Sequence, residues 1–263
     1  PKPQNPKHLK IYFNINFNNK AGLKRTLNSF RENVKGKSKV EFIIIDGASS
    51  DGSVDIANIF FKERSNCKLT SEIDTGIYNA MNKGIAQSSG KYLAFLNSGD
   101  SLASHNIIED ILVKLRENPE KIGFFGDVVF KTFPTNRVVR YWKAGEMSLP
   151  KILCGWMPPH PMCVIKRSKI QAVGGFDENF KISADYDLML RVFWPLKFDV
   201  IYLDKLLVCM EVGGVSNGSF KQILAANLEV IKAWKKRGRH FFPFWIFLTK
   251  PLMKVRQLFT LNN

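Results

Sequence analysis

Cysteine is scarce and unpatterned: Cys67, Cys154, Cys163 and Cys209 are the four in 263 residues. They form no C-x-x-C pair and no spacing that matches a zinc ribbon or finger, which leaves buried free thiols as the expectation. The sequence also lacks a G-x-G-x-x-G fingerprint and a P-loop, so a Rossmann cofactor or an ATPase finds no support. No apolar h-region stands in the N-terminal PKPQNPKHLKIYF, and a reducing cytosol is the expected compartment. There is no internal repeat and no low-complexity tract. Acidic residues run out early, with neither Asp nor Glu after Glu229.

What is present is an ordinary globular composition with an excess of positive charge. Hydrophobic residues make up 45% and charged residues 24%, which suits one large α/β domain with an appendage. Lys and Arg number 39 against 23 Asp and Glu, a formal charge of +16. That balance calls for a polyanionic partner: nucleic acid, an anionic membrane face or a phosphorylated substrate. Half of the excess, Lys232, Lys235, Lys236, Arg237, Arg239, Lys250, Lys254 and Arg256, lies near the C-terminus.

Leu9 to Ile15 (LKIYFNI), Val40 to Ile45 (VEFIII) and Lys91 to Leu96 (KYLAFL) read as buried strands. Between and after them, Lys20 to Asn33, Ser53 to Phe61, Gly76 to Gln87 and Ser104 to Glu117 read as helices. Such alternation predicts a mainly parallel sheet covered on both faces, with ligands gathered beyond the carboxyl ends of its strands. After Lys121 the pattern becomes mixed: strand-like GFFGDVVF, RVVRYW and MCVIKRS, a loop with CGWMPPHP, and helix-like DYDLMLRVF. This half is expected to carry the second substrate.

Each strand of the first half ends in a polar segment. In IIIDGASSDGS, Asp46, Ser49 and Asp51 can accept hydrogen bonds from a base or ribose, or can form Asx turns and cap the next helix. In KYLAFLNSGD, Asn97 and Asp100 follow a hydrophobic strand beside a glycine, an arrangement suited to a hard cation bridging a diphosphate, or simply to a chain reversal. Asp185 and Asp187 are two apart in DYDLMLR, so on a helix they face different ways and at most one serves as a base. Ser183 is the expected N-cap, placing Asp185 in the first turn where the helix dipole favours its ionised form. His160 stands alone in MPPHPM, with no partner at metal spacing; it reads as a loop group near an acceptor site or, equally well, as a structural hydrogen-bond partner.

Taken in order, the strand followed by NFNN, IIIDGASSDGS, SEIDTGIYNAMNKGIAQSSGKYLAFLNSGD and GGFDENFKISADYDLMLR resemble family 2 glycosyltransferases, in particular the bacterial capsule, colanic-acid and O-antigen branch. The resemblance covers roughly residues 9 to 217, ending with EVGGVSN. It implies an α/β fold of the GT-A type, with a catalytic domain over 1–218 (a nucleotide-sugar half to about 120, an acceptor half beyond) and a C-terminal amphipathic helical extension over 219–263. By the same resemblance Ile15 and Phe17 flank the nucleobase, Asp46 with Ser49 meets the uracil and ribose, and Asp74 and Asn82 lie near the donor sugar. Asn97 falls in the donor-binding turn, Asp100 on the acidic position that holds Mn²⁺ or Mg²⁺, and Asp185 on the catalytic base. Three departures stand out: one carboxylate in the metal motif, Gly47 where relatives carry a second Asp, and Ala184 where the acidic pair begins.

The implied reaction is transfer of a sugar from a nucleotide sugar, expected to be a UDP-sugar, to a hydroxyl of a polyprenyl-diphosphate-linked saccharide, with inversion at the anomeric carbon. The apolar stretch Phe241 to Thr249 is nine residues long, about 14 Å as a helix, too short for a hydrocarbon core of ~30 Å. Aromatics flanked by Lys and Arg instead suit an anionic membrane interface, so a peripheral position at the inner face of the cytoplasmic membrane is expected. The alternative for Phe241, Trp245 and Phe247 is packing back on the catalytic domain or forming a dimer contact. Two other functions compete: a basic nucleic-acid-binding protein, disfavoured because the charge sits in an apolar tail, and an inactive sugar-nucleotide-binding scaffold.

Overall fold

A computed structural model describes residues 10–34, 40–62, 64, 66–194, 199–213, 220–238 and 245–259. Leu9, residues 214–217 of the EVGGVSN motif and Phe241 lie outside the described residues. The first half runs β1 (Lys10–Asn16), α1 (Lys20–Asn33), β2 (Val40–Asp46), α2 (Ser53–Phe61), β3 (Cys67–Ser71), α3 (Ile77–Gln87), β4 (Tyr92–Phe95), β5 (Ser101–Leu102) and α4 (Ile107–Glu117). The second half runs β6 (Gly123–Lys131), β7 (Val138–Trp142), α5 (Leu149–Leu153), β8 (Val164–Lys166), α6 (Arg167–Ala172), α7 (Ala184–Phe193), β9 (Val200–Glu211), α8 (Phe220–Lys235) and α9 (Ile246–Phe259).

Among the described residues the strands form one sheet in the order β3-β2-β1-β4-β8-β6-β9-β5, with β7 paired to β6. The first four are parallel, while β8 runs antiparallel to both β4 and β6. Strand alternation divides the core in two. Phe42 and Ile44 of β2 face a cluster with Leu23, Leu27 and Phe30 of α1 and the apolar face of α4. Ile43 and Ile45 face the opposite cluster, with α3, α7, Trp234 of α8 and Ile246 of α9. These four β2 side chains are fully buried, each worth about 1.5–3 kcal/mol against exposure, which is why an unbroken apolar run becomes a central strand. The helical C-terminal segments thus share the core of the α/β body. No described helix is long and apolar enough to cross a membrane.

Register sets the functional end. Asn16 of β1 lies opposite Asp46 of β2, and Asp46 opposite Ser71 of β3, so the three strands deliver polar side chains at one level beyond the buried sheet.

Candidate active site

Asp46 is 1% exposed, yet its carboxylate is fully engaged. One oxygen accepts from Asn16 Nδ2 (2.7 Å) and Ser49 Oγ (2.6 Å), the other from the Ser49 amide (2.8 Å) and Ser71 Oγ (2.8 Å). Burial pushes its pKa up, but the bonds from Ser49, Asn16 and Ser71 outweigh it and hold the group below the usual carboxylate range. Ser49 Oγ in turn accepts from the Asn18 amide (2.8 Å), so the β1 and β2 tips form one unit. Asp51 accepts from the Lys20 amide and from Ser53 through both its amide and hydroxyl, the capping role that one of its two readings assigned.

Gly47 sits under two candidate residues. A Cβ built there would meet Asp74 Oδ2 at 2.7 Å and Phe17 Cδ2 at 3.1 Å. The absence of a side chain at Gly47 therefore lets the Asp74 carboxylate close onto the strand tip. Asp74 Oδ1 accepts from the Gly76 amide (2.9 Å), and the Phe17 ring is 66% exposed above the same spot. Ile15 is half-buried, and its carbonyl accepts from the Ser98 amide (3.2 Å).

The turn Asn97 to Asp100 is tied down by β1 and α1. Asn14 Nδ2 donates to the Leu96 carbonyl (2.7 Å), Ser98 Oγ donates to Asn14 Oδ1 (2.8 Å), and Asn19 Nδ2 donates to the Ser98 carbonyl (3.1 Å). Thr26 Oγ1 donates to the Asp100 carbonyl (2.7 Å). Gly99 has φ +106°, and a Cβ there would stand 2.7 Å from Glu211 Oε2, so the turn needs glycine both for its backbone and for the Glu211 carboxylate above it. Glu211, at the end of β9, is ion-paired with Arg25 of α1. Asp100 is 4% exposed, and its Oδ2 has no hydrogen-bond partner. Burial raises its pKa to about 7 against the pull of hydrogen bonds from the Glu211 and Asn97 backbone. Among the described residues no three His, Cys, Asp or Glu side chains converge as a metal group. The orphaned Asp100 oxygen with Glu211 nearby nevertheless suits a divalent cation that brings phosphate oxygens as its remaining ligands.

An aromatic chain leads from this turn to α7. Phe95, at the end of β4, contacts Phe176 edge-on (5.3 Å between centroids), and Phe176 stacks on Tyr78 (5.6 Å) of α3. Tyr78 donates its hydroxyl to the Ile182 carbonyl (2.6 Å), two residues before α7. Asn82 fixes the other side of that chain: its Nδ2 donates to the Phe176 carbonyl (2.9 Å) and to Glu178 (2.8 Å), and its Oδ1 accepts from the Phe176 amide (2.8 Å). With both ends of its amide committed to protein, Asn82 shapes the loop. His160 is 5% exposed, stacks on Phe95 (4.8 Å) and carries an Nε2 without a partner; burial lowers its pKa to about 4, so it is neutral.

The two acids of α7 have opposite fates. Asp187 is 1% exposed and accepts from Arg191 Nε (2.7 Å) and Arg237 (3.2 Å). Asp185 is partly exposed, and burial raises its pKa to about 6 against the pull of the Tyr186 amide and the Lys250 charge. Here the helix N-terminus was expected to keep it readily ionised; desolvation outweighs that effect. Ser183 occupies the cap position but makes no side-chain cap. Its hydroxyl donates to the Ala226 carbonyl, and Glu229 of α8 accepts the amides of Lys181, Ile182 and Ser183.

The family model described as glycosyl transferase family 2 matches residues 15–170, the strand tips just described. The chain belongs to glycosyl transferase family 2. An uncharacterized glycosyltransferase of Mycobacterium tuberculosis is 33% identical over 181 residues, 67% of this chain and 66% of that protein's length. A PGL/p-HBAD biosynthesis glycosyltransferase of Mycobacterium bovis is 27% identical over 179 residues, 67% of this chain and 68% of the relative. Among solved structures, Staphylococcus aureus TarS 1–349 in complex with UDP-GlcNAc superposes with a TM-score of 0.66 at 15% identity, over 86% of this chain and 66% of that one. The Pyrobaculum calidifontis mannosyltransferase PcManGT in complex with GDP-Man and Mn²⁺ gives 0.64 at 14%, over 94% and 71%. The fold of this glycosyltransferase is therefore the expected GT-A α/β fold.

Several residues around the candidate site went unread in the sequence. Asn14, Asn16 and Asn19 hold the strand tips together, and the amides within an apolar strand were a visible sign, since a buried amide needs partners. Asp127, in the apolar GFFGDVVF, accepts from Tyr141, Tyr202 and the Ala144 amide and knits β6 to its neighbours. Glu211 reaches the Gly99 turn from a distant segment, and no local pattern marks it.

Proposed function

We propose that this glycosyltransferase transfers a sugar from a nucleotide sugar, most simply a UDP-sugar, to a hydroxyl of a lipid-linked saccharide in surface polysaccharide synthesis, with inversion. The observation that carries the reading is the strand-tip assembly: Asp46 and Ser49 fixed at the base, Phe17 and Asp74 over Gly47, and the unpartnered Asp100 oxygen at the adjoining turn. The exposed Phe17 ring and half-buried Ile15 suit the faces of a nucleobase. Asn16 Oδ1, a second buried acceptor without a partner, lies at the same level.

Asp100, with Glu211 beside it, would hold a divalent cation. When bound, such an ion neutralises the negative charge that develops on the departing diphosphate. Arg25, the present partner of Glu211, lies alongside to balance charge as phosphates enter or leave. Asp185 takes the proton from the acceptor hydroxyl; a base with a pKa near 6 is ionised at neutral pH and still a competent acceptor. Asp187 cannot serve, being held between two arginines. Attack from the side of Asp185, opposite the diphosphate, inverts the anomeric carbon.

An apolar acceptor is supported by the apolar side chains Met147, Trp156, Met157 and Met189 gathered around Tyr186, the residue after Asp185. Membrane association is supported by Leu248 and Leu252, 65% and 69% exposed on α9, and by the surrounding basic residues. The test is a panel of nucleotide sugars with Mn²⁺ and a polyprenyl-diphosphate-linked acceptor, scored for released nucleoside diphosphate and for the anomer formed. Release with one donor and an inverted product is the expected result; no turnover with any donor, or a retained anomer, refutes it.

A further inference from the structure

Helix α9 is seated on the catalytic body by specific bonds. Helix α5 presents the carbonyls of Ile152 and Leu153, in its last turn, and of its cap residue Cys154, the end at which a helix takes outside donors. Tyr186 Oη donates to Ile152 (3.1 Å), Trp245 Nε1 to Leu153 (3.0 Å) and Thr249 Oγ1 to Cys154 (2.8 Å). Two of these three donors come from α9 or the residue before it. Ile246 is fully buried in the shared core. Gly155 follows the same turn with φ +82°, and a Cβ built on it would stand 3.1 Å from Ile246 Cγ2 and 3.1 and 3.2 Å from Lys250 Cδ and Cγ. The stem of Lys250 therefore lies on bare backbone, in a slot that fixes where its ammonium goes. That ammonium is 5.9 Å from the centroid of the Tyr186 ring, the residue next to Asp185.

We propose that Lys250 is a positioning residue of the active site, its ammonium serving as the counter-charge of the Asp185 carboxylate, so that docking of α9 completes the acceptor half of the enzyme. The proposal rests on Asp185 being the base. Tyr78 from α3, Glu229 from α8 and Lys250 from α9 are the groups on neighbouring elements whose charges act with Asp185. Glu229 is an anion committed to three amides ahead of α7, and Tyr78 is a neutral phenol. Lys250 alone of these three stabilises the ionised carboxylate. The outer face of the same helix carries Leu248 and Leu252, so one element presents apolar side chains outward and a cation to the base inward.

The experiment uses the full chain with Lys250→Met, Lys250→Gln, Lys250→Arg and Asp185→Asn, the last to assign the Asp185 carboxyl signal in ¹³C NMR. In the parent enzyme the Asp185 carboxyl is expected to titrate at about 6. Loss of the cation in Lys250→Met or Lys250→Gln moves the midpoint up by about half a unit to one unit, and Lys250→Arg restores it. If the midpoint rises to about 7, the ionised fraction at pH 6 falls from about one half to about one tenth, so turnover at pH 6 drops about fivefold. At pH 8 it changes little, and the KM for the nucleotide sugar is unmoved. A midpoint that stays in place in whichever neutral variant folds overturns the proposal. Full turnover in Asp185→Asn would instead overturn the assignment of the base, and the titration would still report on Lys250.

Discussion

Replacing the two acids of α7 in turn, Asp185→Asn and Asp187→Asn, separates a carboxylate held for chemistry from one held for the fold. The Asp185 carboxyl ionises near 3.8 in the unfolded chain and near 6 in the folded enzyme. Between those values the folded state binds more protons, so stability falls as pH rises through that window and the penalty is constant above pH 6. Two pKa units correspond to about 3 kcal/mol, and partial exposure of the side chain reduces this to about 1–2 kcal/mol. Asparagine escapes the penalty. Asp185→Asn is therefore expected to melt a few degrees higher at pH 8, to show no gain below pH 4, and to lose about 10²-fold or more in turnover. Asp187→Asn has the reverse profile. Its loss leaves the Arg191 and Arg237 guanidinium groups without their counter-charge in a site where the carboxylate is 1% exposed. Full removal of one partner from a buried pair costs about 3–5 kcal/mol, and the retained amide oxygen brings that to about 2–3 kcal/mol. At about 2–4 °C per kcal/mol for a chain of this size, Tm falls by about 5–10 °C, while folded enzyme at 20 °C keeps turnover within a few-fold. Circular-dichroism melts and nucleoside diphosphate release on the same samples decide it. An unchanged Tm in Asp187→Asn, or a lowered one in Asp185→Asn, refutes the reasoning.

Gly47→Ala places a methyl where Asp74 Oδ2 and Phe17 now close in; both are ends of movable side chains, so Tm should stay within about 2 °C while the KM for the nucleotide sugar rises about tenfold, read from initial rates. Asp100→Asn should abolish saturable Mn²⁺ binding in the presence of UDP by isothermal titration calorimetry, and Glu211→Gln should weaken it several-fold; chelation followed by Mn²⁺ readdition should remove and restore turnover in the parent enzyme. Leu248→Gln with Leu252→Gln should cut recovery on anionic liposomes at least fivefold in flotation, with the melt unchanged because both side chains point away from the core. Truncating the tail is the poorer test, since it strips Ile246 and Trp245 from the body.

Much of the sheet could be read from apolar runs because each central strand is buried on both faces and so has no alternation to disguise it. The helix starting at Lys20 and the strand ending at Asp46 carry their own boundary signals, an asparagine cap and an abrupt polar tip. Strand β8 was harder to place, since MCVIKRS contains only three paired residues, Val164–Lys166, and its antiparallel insertion between β4 and β6 depends on contacts some 70 residues away in β4. At the site, the short-range groups were visible: Asp46 with Ser49, and Asp51 with Ser53. Groups joined by topology alone were not, because nothing in the segment around Gly99 announces that Glu211 will lie over it.

The tail shows why a correct pattern can leave a placement open. From Ile246 onward, Ile246, Thr249, Lys250 and Met253 recur at helical spacing and turn inward, with Ile246 fully buried and Met253 packed against the same cluster. Leu248 and Leu252 recur at the same spacing and turn outward. A helix apolar on two sides reads from sequence as one interfacial segment, since a periodicity analysis sums both stripes. Only the partner surface separates them: α5 offers the carbonyls of Leu153 and Cys154 and a bare glycine to the inner stripe. The inner stripe is thus accounted for by the fold. The outer one is the stripe on which the proposed membrane association rests, and it is positioned by the same helix that carries Lys250 toward the proposed base.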